Sequence, residues 1–167
     1  MALFFLHQRK RPDVMPAEPF DSQDDRPIHV LAVTRDVWLT LLLDRAARHG
    51  VSSDRVADCD AALTLTRTHQ YDVILAGAPG VDIVDICRRL RRESVTTPIL
   101  GVREDSTVRD VVAALDGGAD GYVVGPLDDA ELIARLRAAR RRYDYERNRP
   151  ATRPPGDHDE NSLAPAS

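Results

Sequence analysis

Five apolar, strand-like segments alternate with five helix-like segments between residues 27 and 143, and the connections between them are short. The strand-like segments span residues 28–34, 54–59, 72–76, 98–102 and 121–124. Because consecutive strands separated by helices pair in parallel through right-handed crossovers, the helices must cover both faces of one sheet. The pattern therefore predicts an α/β fold with a five-stranded parallel sheet. The carboxyl ends of the strands meet at one edge, where such proteins place their functional groups.

Helix boundaries carry recognisable signals. The helices are predicted over residues 36–50, 60–69, 81–92, 106–118 and 128–142. Asp36 is the predicted N-cap of the first helix and Gly50 its C-terminal stop. Asp128 and Glu131 have the spacing of a capping box at the start of the fifth.

The two ends of the chain lack a periodic apolar pattern. We expect residues 1–26 to form a disordered leader and residues 144–167 a disordered tail rich in proline and polar residues. The opening apolar run is far shorter than a spanning helix, and its basic cluster follows it. We therefore expect a cytoplasmic protein without a membrane partner, a weak surface anchor being the alternative. No output domain is expected after residue 143, so the chain is expected to act as a stand-alone module.

Composition argues against several classes of function. The formal net charge of −4 gives no reason to expect direct binding of nucleic acid, which usually requires a basic face. Cys59 and Cys87 have neither metal-ligand spacing nor a secretory context, so free buried thiols are expected. No histidine is spaced with a cysteine or an acid as in a metal or nucleophile system. We expect no enzyme activity and no cofactor.

From about residue 27 to residue 142 the sequence resembles the receiver domain of bacterial response regulators. The runs that carry the resemblance are "TPILGV", "PGVDIVDICRRLRR" and "GGADGYVVGPLDDAELIARLRAARRR". The last of these is most similar to the receiver class that usually precedes a winged-helix output domain. The resemblance implies a (βα)5 flavodoxin-like receiver fold for residues 27–143.

The resemblance also implies a phosphorylation site, and this chain departs from it at each position. The acidic pair that holds magnesium falls on Thr34 and Arg35, which leaves only Asp36 as a carboxylate beside them. One carboxylate is a poor magnesium site, because this cation needs several oxygen ligands.

The remaining positions are equally altered. The phosphoryl-accepting aspartate falls on Gly77, and no carboxylate lies between Asp72 and Asp82. The hydroxyl residue falls on Arg103 and the lysine on Gly125. Since a phosphoryl group in transfer needs an acceptor and compensating cations, conventional phosphotransfer is excluded by this residue inventory. The chain resembles an aspartate-less pseudo-receiver.

Three functions remain open. The leading prediction is a phosphorylation-independent regulatory module that binds a protein, either a signalling kinase or a transcription regulator. The alternative is a domain that senses a small anion or another ligand with Arg35 and Arg103 at the altered rim. A third is a regulator phosphorylated at an unusual acceptor, which a phosphodonor experiment would reveal.

The resemblance implies three further features near the fifth strand. Tyr122 matches the aromatic switch position of the family, and without a hydroxyl at residue 103 we expect either a locked rotamer or a half-buried strand aromatic. Pro126 lies in the family's cis-proline context. The family's contact face, formed by the fourth helix, fifth strand and fifth helix, predicts a homodimer. The charged residues expected to pair there are Arg109, Asp116, Asp120, Asp129, Glu131, Arg135 and Arg137.

Overall fold

The computed structural model of the chain describes residues 26–77 and 80–148. Five parallel strands form one sheet in the order β2-β1-β3-β4-β5. The strands are β1 (Ile28–Val33), β2 (Val51–Val56), β3 (Val73–Ala76), β4 (Ile99–Arg103) and β5 (Gly121–Val124). The helices are α1 (Val37–Ala46), α2 (Cys59–Thr68), α3 (Ile83–Arg92), α4 (Val108–Asp116) and α5 (Asp129–Asn148). The predicted α/β fold is confirmed.

Two apolar cores enclose the sheet because neighbouring side chains of each strand point to opposite faces. Val30 and Ala32 of β1 lie in the core beneath α1 and α5, whereas Leu31 and Val33 lie in the core beneath α2, α3 and α4. This double burial explains why β1 and β3 read as continuous apolar runs rather than alternating ones. Cys59 and Cys87 lie in the second core as free thiols, as expected.

The helix signals are largely confirmed. Asp36 caps α1 by accepting a hydrogen bond from the Trp38 N–H, and Gly50, with φ of 81°, ends the short 3₁₀ turn that follows. At the start of α5, Asp128 Oδ1 accepts from the Glu131 N–H at 2.7 Å. Each cap satisfies a backbone group that the first or last turn of a helix leaves unpaired.

Three local predictions were wrong. The second strand lies at Val51–Val56 rather than residues 54–59, because its pairing with β1 fixes its register and its own side chains are mostly exposed. Helix α5 continues to Asn148, six residues past its predicted end at residue 142. No peptide bond among the described residues is cis, so the bond before Pro126 is trans.

The segments expected to be disordered, residues 1–26 and 144–167, lie outside the described residues except for Arg26 and residues 144–148, and the latter continue α5. Among the residues that the structure describes, no helix has the length and apolar character needed to cross a membrane.

Candidate functional site

The carboxyl edge of the sheet brings together the residues that replace the phosphorylation site. Backbone hydrogen bonds continue past the strand ends, with the Gly77 N–H donating to the Val33 carbonyl at 3.1 Å. On the other side of the edge, the Gly125 N–H donates to the Arg103 carbonyl at 3.0 Å. Residues that follow β1, β3, β4 and β5 therefore form one continuous rim, as the parallel topology predicts.

The end of β1 uses its polar groups within the backbone. Thr34 is buried, and its hydroxyl accepts a hydrogen bond from the Asp36 N–H at 3.0 Å. The Asp36 carboxylate in turn accepts from the Trp38 N–H at 2.9 Å. The one carboxylate left at the magnesium position thus serves as a helix cap.

Gly77 lies at the acceptor position, where it packs against the main chain of β4. A β-carbon built on Gly77 would lie 2.0 Å from the Val102 carbonyl oxygen and 3.0 Å from the Val102 carbonyl carbon. These distances are far below van der Waals contact. A side chain at residue 77 would therefore point into the β4 backbone and not into the space above the rim.

Gly125, at the lysine position, is restricted in a different way. Its φ of 100° lies in the left-handed region that favours glycine, and no heavy atom lies within 4 Å of a β-carbon built there. A lysine at residue 125 would find space but would strain the backbone. Both the acceptor and the lysine positions thus have a local structure suited to glycine.

Magnesium, which the receiver family implies, does not fit the residues present. The described part of the chain contains no group of three or more histidine, cysteine, aspartate or glutamate side chains able to hold a metal ion. Asp82, the next carboxylate along the rim, caps α3 by accepting from the Val84 and Asp85 N–H groups. The donor set is too small and already occupied by backbone amides.

Arg103 lines a cavity of about 360 Å³ between the start of α3, the end of β4 and helix α4. Asp110 and Tyr122 also line this cavity. Hydrogen bonds from the Thr107 hydroxyl and the Thr107 N–H, together with the positive charge of Arg103, lower the pKa of Asp110. The same bonds form the capping box of α4.

The two rim arginines lie toward opposite parts of the sheet. The Arg35 Nε donates to the Ala57 carbonyl at 3.1 Å, in the connection after β2, whereas Arg103 ends β4. Strands β1 and β3 lie between β2 and β4. At the usual spacing of neighbouring strands, the distance between β2 and β4 is therefore about 14 Å. Arg35 and Arg103 therefore contact different parts of this edge, Arg35 the connection after β2 and Arg103 the cavity beside α3 and α4.

Tyr122 has a hydrogen-bond partner that the sequence did not reveal. Its hydroxyl lies 2.9 Å from the Ser106 Oγ, in the loop between β4 and α4. Its ring lies over Gly101, where a β-carbon would come within 2.5 Å of the ring. A glycine in the middle of a strand often marks such a close approach, so the sequence contained a signal for the ring position. Nothing in the sequence indicated Ser106.

Most of the charged residues predicted to pair across a dimer have partners within the chain. Asp120 accepts from the Ile99 N–H at 2.7 Å and forms an ion pair with Arg91. Arg135 pairs with Glu131 one turn away on α5.

The other predicted interface residues divide between two environments. Asp129 faces α1, where His49 Nε2 lies 3.9 Å from its Oδ2, and the Nε of Arg137 is buried without a hydrogen-bond partner. Arg109 and Asp116 are exposed on α4. The structure therefore places only part of the predicted charge set on the outer surface of α4, β5 and α5.

An exposed apolar stripe runs along α4 and continues onto β5. Val108, Val112 and Leu115 follow one another at helical spacing and are 81%, 49% and 43% exposed. Val124 of β5 is also exposed. Large apolar side chains that remain exposed together often mark a surface for another protein. This set of four residues is called the α4 stripe below.

Residues 32–137 match the family described as the response regulator receiver domain. The match covers more than half of the chain, so the chain belongs to the response regulator receiver family. The transcriptional regulatory protein TcrA of Mycobacterium tuberculosis is 39% identical over 131 residues, which are 77% of this chain and 49% of TcrA. The transcriptional regulatory protein CseB of Streptomyces avermitilis is 40% identical over 134 residues, which are 77% of this chain and 55% of CseB. The chain thus spans about half the length of these relatives.

Solved structures show the same architecture. A putative response regulator from Chloroflexus aurantiacus is 25% identical, with a TM-score of 0.61, and the similarity covers 70% of this chain and 99% of that one. The predicted flavodoxin-like receiver fold is therefore confirmed.

Proposed function

We propose that this receiver regulates its partners without aspartyl phosphorylation, by presenting a fixed surface to another protein. Two relatives, at 39% and 40% identity, are named as transcriptional regulatory proteins, which favours a partner in transcription or in the signalling that controls it. The proposed partner is a signalling kinase, a transcription regulator or a second copy of the chain.

The contact between Gly77 and the β4 main chain carries this proposal. A missing aspartate alone could be replaced by a neighbouring acid, but here the acceptor position itself has no room for a side chain. Two carboxylates at this edge of the sheet, Asp36 and Asp82, accept hydrogen bonds from helix N-termini. A carboxylate that caps a helix is stabilised as an anion and loses this stabilisation when it is converted to an acyl phosphate.

The hydrogen bond between Tyr122 and Ser106 supports a fixed surface. It ties β5 to the loop that leads into α4, so the ring is held without a phosphorylated partner. This arrangement favours the locked-rotamer interpretation of Tyr122. The surface next to it contains the α4 stripe, which we propose as the contact site for a protein.

Incubation with acetyl phosphate and magnesium tests the absence of phosphorylation. We expect the intact mass of the protein to remain unchanged and the magnesium concentration to have no effect on its thermal unfolding. A Gly77→Asp variant is expected to behave in the same way, because its side chain cannot point above the rim. A phosphoryl adduct on any aspartate of the wild-type chain would refute the proposal.

A further inference from the structure

A groove of about 480 Å³ runs between the outer side of α5 and the edge strand β5. Its floor is apolar and is formed by Leu100 and Val123 of the sheet. The groove exists because three small residues border it, namely Gly121, Ala138 and Ala139. A β-carbon at Gly121 would lie 2.8 Å from Leu100, so a side chain there would alter the floor.

The charged residues that line the groove are three arginines and two acids, Asp120 and Glu146. The arginines at its rim are Arg135, Arg142 and Arg147. Arg135 and Arg142 are held by ion pairs with acids one turn away on the same exposed helix, and Arg147 stacks on the Tyr143 ring. Exposed pairs of this kind contribute little, so these arginines can exchange partners at low cost.

The chain enters the described domain beside the same helix. The buried Arg140 donates to the Arg26 carbonyl at 3.0 Å, and Arg26 itself pairs with Asp144 at 2.9 Å. These contacts fix residue 26 against the last turns of α5. Neither Arg140 nor Asp144 lines the groove, so residue 26 lies on the other flank of α5, and the chain before it reaches the groove only by crossing the exposed face of this helix.

The segment before Arg26 complements the groove in charge and polarity. Residues 13–25, with the sequence DVMPAEPFDSQDD, contain five acids and no base. They also contain the aromatic Phe20, six residues before Arg26. Six extended residues span at most about 20 Å, and the path over half the circumference of a helix about 10–12 Å across is about 16–19 Å. Phe20 can therefore pass α5 and reach the groove, and its tether keeps the local concentration high.

We propose that residues 13–25 of the chain dock in this groove, with the Phe20 ring on the apolar floor and the flanking acids beside the rim arginines. Another cavity at the end of α5 is lined largely by polar residues, among them Thr66 and Gln70, and offers a poorer site for a phenyl ring. The proposal does not depend on the proposed function, because it concerns contacts within one chain.

Photocrosslinking in the full chain tests the proposal. The photoreactive analogue benzoylphenylalanine replaces Phe20, and crosslinked peptides are identified by mass spectrometry from an equal mixture of light and heavy isotope-labelled protein. We expect crosslinks within one chain to peptides that contain Val123 or Ala138. An Ala138→Glu substitution, which places an acid on the groove wall, should lower their yield at least about fivefold.

Ala134→Glu is the matched control, because Ala134 is also exposed on α5, lies one turn earlier and does not line the groove. It should leave the crosslink yield unchanged. The proposal is wrong if the crosslinks map to another surface, join light to heavy chains, are absent, or respond equally to both substitutions. Circular dichroism of both variants verifies that the fold is intact.

Discussion

Gly77 and Gly101 both lack room for a β-carbon, but for different physical reasons. At Gly77 the obstacle is the Val102 carbonyl oxygen, which belongs to the main chain of a central strand. At Gly101 the obstacle is the Tyr122 ring, at 2.5 Å. A ring can rotate or be removed by substitution, whereas a central strand cannot move without breaking its hydrogen bonds on both sides. A side chain at residue 77 should therefore destabilise the protein whether or not Tyr122 is present.

This difference predicts distinct responses to Gly→Ala substitution. Each single substitution should lower the free energy of unfolding by roughly 1–3 kcal/mol, the usual cost of overpacking. In a Tyr122→Ala background, Gly101→Ala should cost less than about 1 kcal/mol, whereas the cost of Gly77→Ala should not change. Urea unfolding of the six proteins measures these values. Equal rescue at both positions would contradict the assignment of the Gly77 contact to the main chain.

The Tyr122 hydroxyl and Ser106 should be energetically coupled. Tyr122→Phe and Ser106→Ala each remove one side of the hydrogen bond, so each should cost about 1 kcal/mol of unfolding free energy. The double variant should cost less than the sum, because the bond can be lost only once. Urea unfolding of the four proteins gives the coupling energy. Additive losses would show that the two groups do not interact.

Cys87 predicts a loss of stability in alkaline solution. Burial raises the pKa of the Cys87 thiol to about 11, from an ordinary value of 9.0. Between these two values the unfolded chain has released the proton and the folded chain retains it, so the free energy of unfolding falls as the pH rises. Unfolding followed from pH 8 to pH 11 should show a weaker decline in Cys87→Ala than in the wild type. Identical slopes would exclude this thiol as the cause.

The candidate site could be predicted from the sequence only where identity alone decides the chemistry. The loss of the acceptor at Gly77 and the cap at Asp36 follow from residue type and spacing. The Ser106 partner of Tyr122 and the Arg91 partner of Asp120 depend on where loops and helices meet in space. Local patterns do not contain that information.

Among the strands, β3 and β5 were predicted to within one residue of their bounds. Burial of every residue of β3 leaves an unbroken apolar run that reveals it, whereas β5 is a partly buried edge strand whose bounds are indicated by the glycines before and after it. β2 is an edge strand whose outer side chains are exposed, so its position follows from pairing with β1 and not from hydrophobicity. The fold as a whole was predicted correctly because five strand-like segments alternate with helices along the chain. One misplaced edge strand does not change this topology.

The last turns of α5 owe their order to contacts made beyond the sheet. The Tyr143 hydroxyl lies 2.8 Å from the Thr96 Oγ1, before β4, and Arg142 pairs with Glu146. Arg147 also stacks on the Tyr143 ring. The composition of residues 144–167 gives no indication of these contacts. This explains why the predicted domain boundary at residue 143 falls inside the helix.

Removing the Tyr143 hydroxyl should therefore loosen the end of α5. In Tyr143→Phe, hydrogen exchange of the backbone amides of residues 144–148 should accelerate about fivefold, the factor that corresponds to a hydrogen bond of about 1 kcal/mol. Tyr145→Phe is the matched control, because Tyr145 lies two residues away and is 69% exposed. Hydrogen exchange measured by mass spectrometry should distinguish the two variants. The same acceleration in both would contradict the role of the Tyr143–Thr96 hydrogen bond in ordering the end of α5.

At the scale of the whole molecule, the α4 stripe and the charged residues make different contributions to association. Asp120, Glu131 and Arg135 are already paired within the chain, so a dimer that used them would first break these pairs. The α4 stripe has no such competing contact to give up, and burial of apolar area provides a driving force of about 25 cal/mol per Å². Apolar contact is therefore expected to supply affinity, and charges to supply orientation.

If two copies of the chain associate through the α4 stripe, a charge placed in this stripe should abolish their association. The same charge on another exposed apolar residue should leave it unchanged. Val112→Glu puts a carboxylate at the centre of the stripe, and burying it unpaired would cost more than the contact supplies. Leu41→Glu on α1 is the control, because Leu41 is 57% exposed and lies on the helix layer that covers the opposite face of the sheet. Sedimentation velocity of both variants over a range of concentrations should show a monomer for Val112→Glu and wild-type behaviour for Leu41→Glu. Association that survives Val112→Glu but is lost in Leu41→Glu would move the contact surface from α4 to α1.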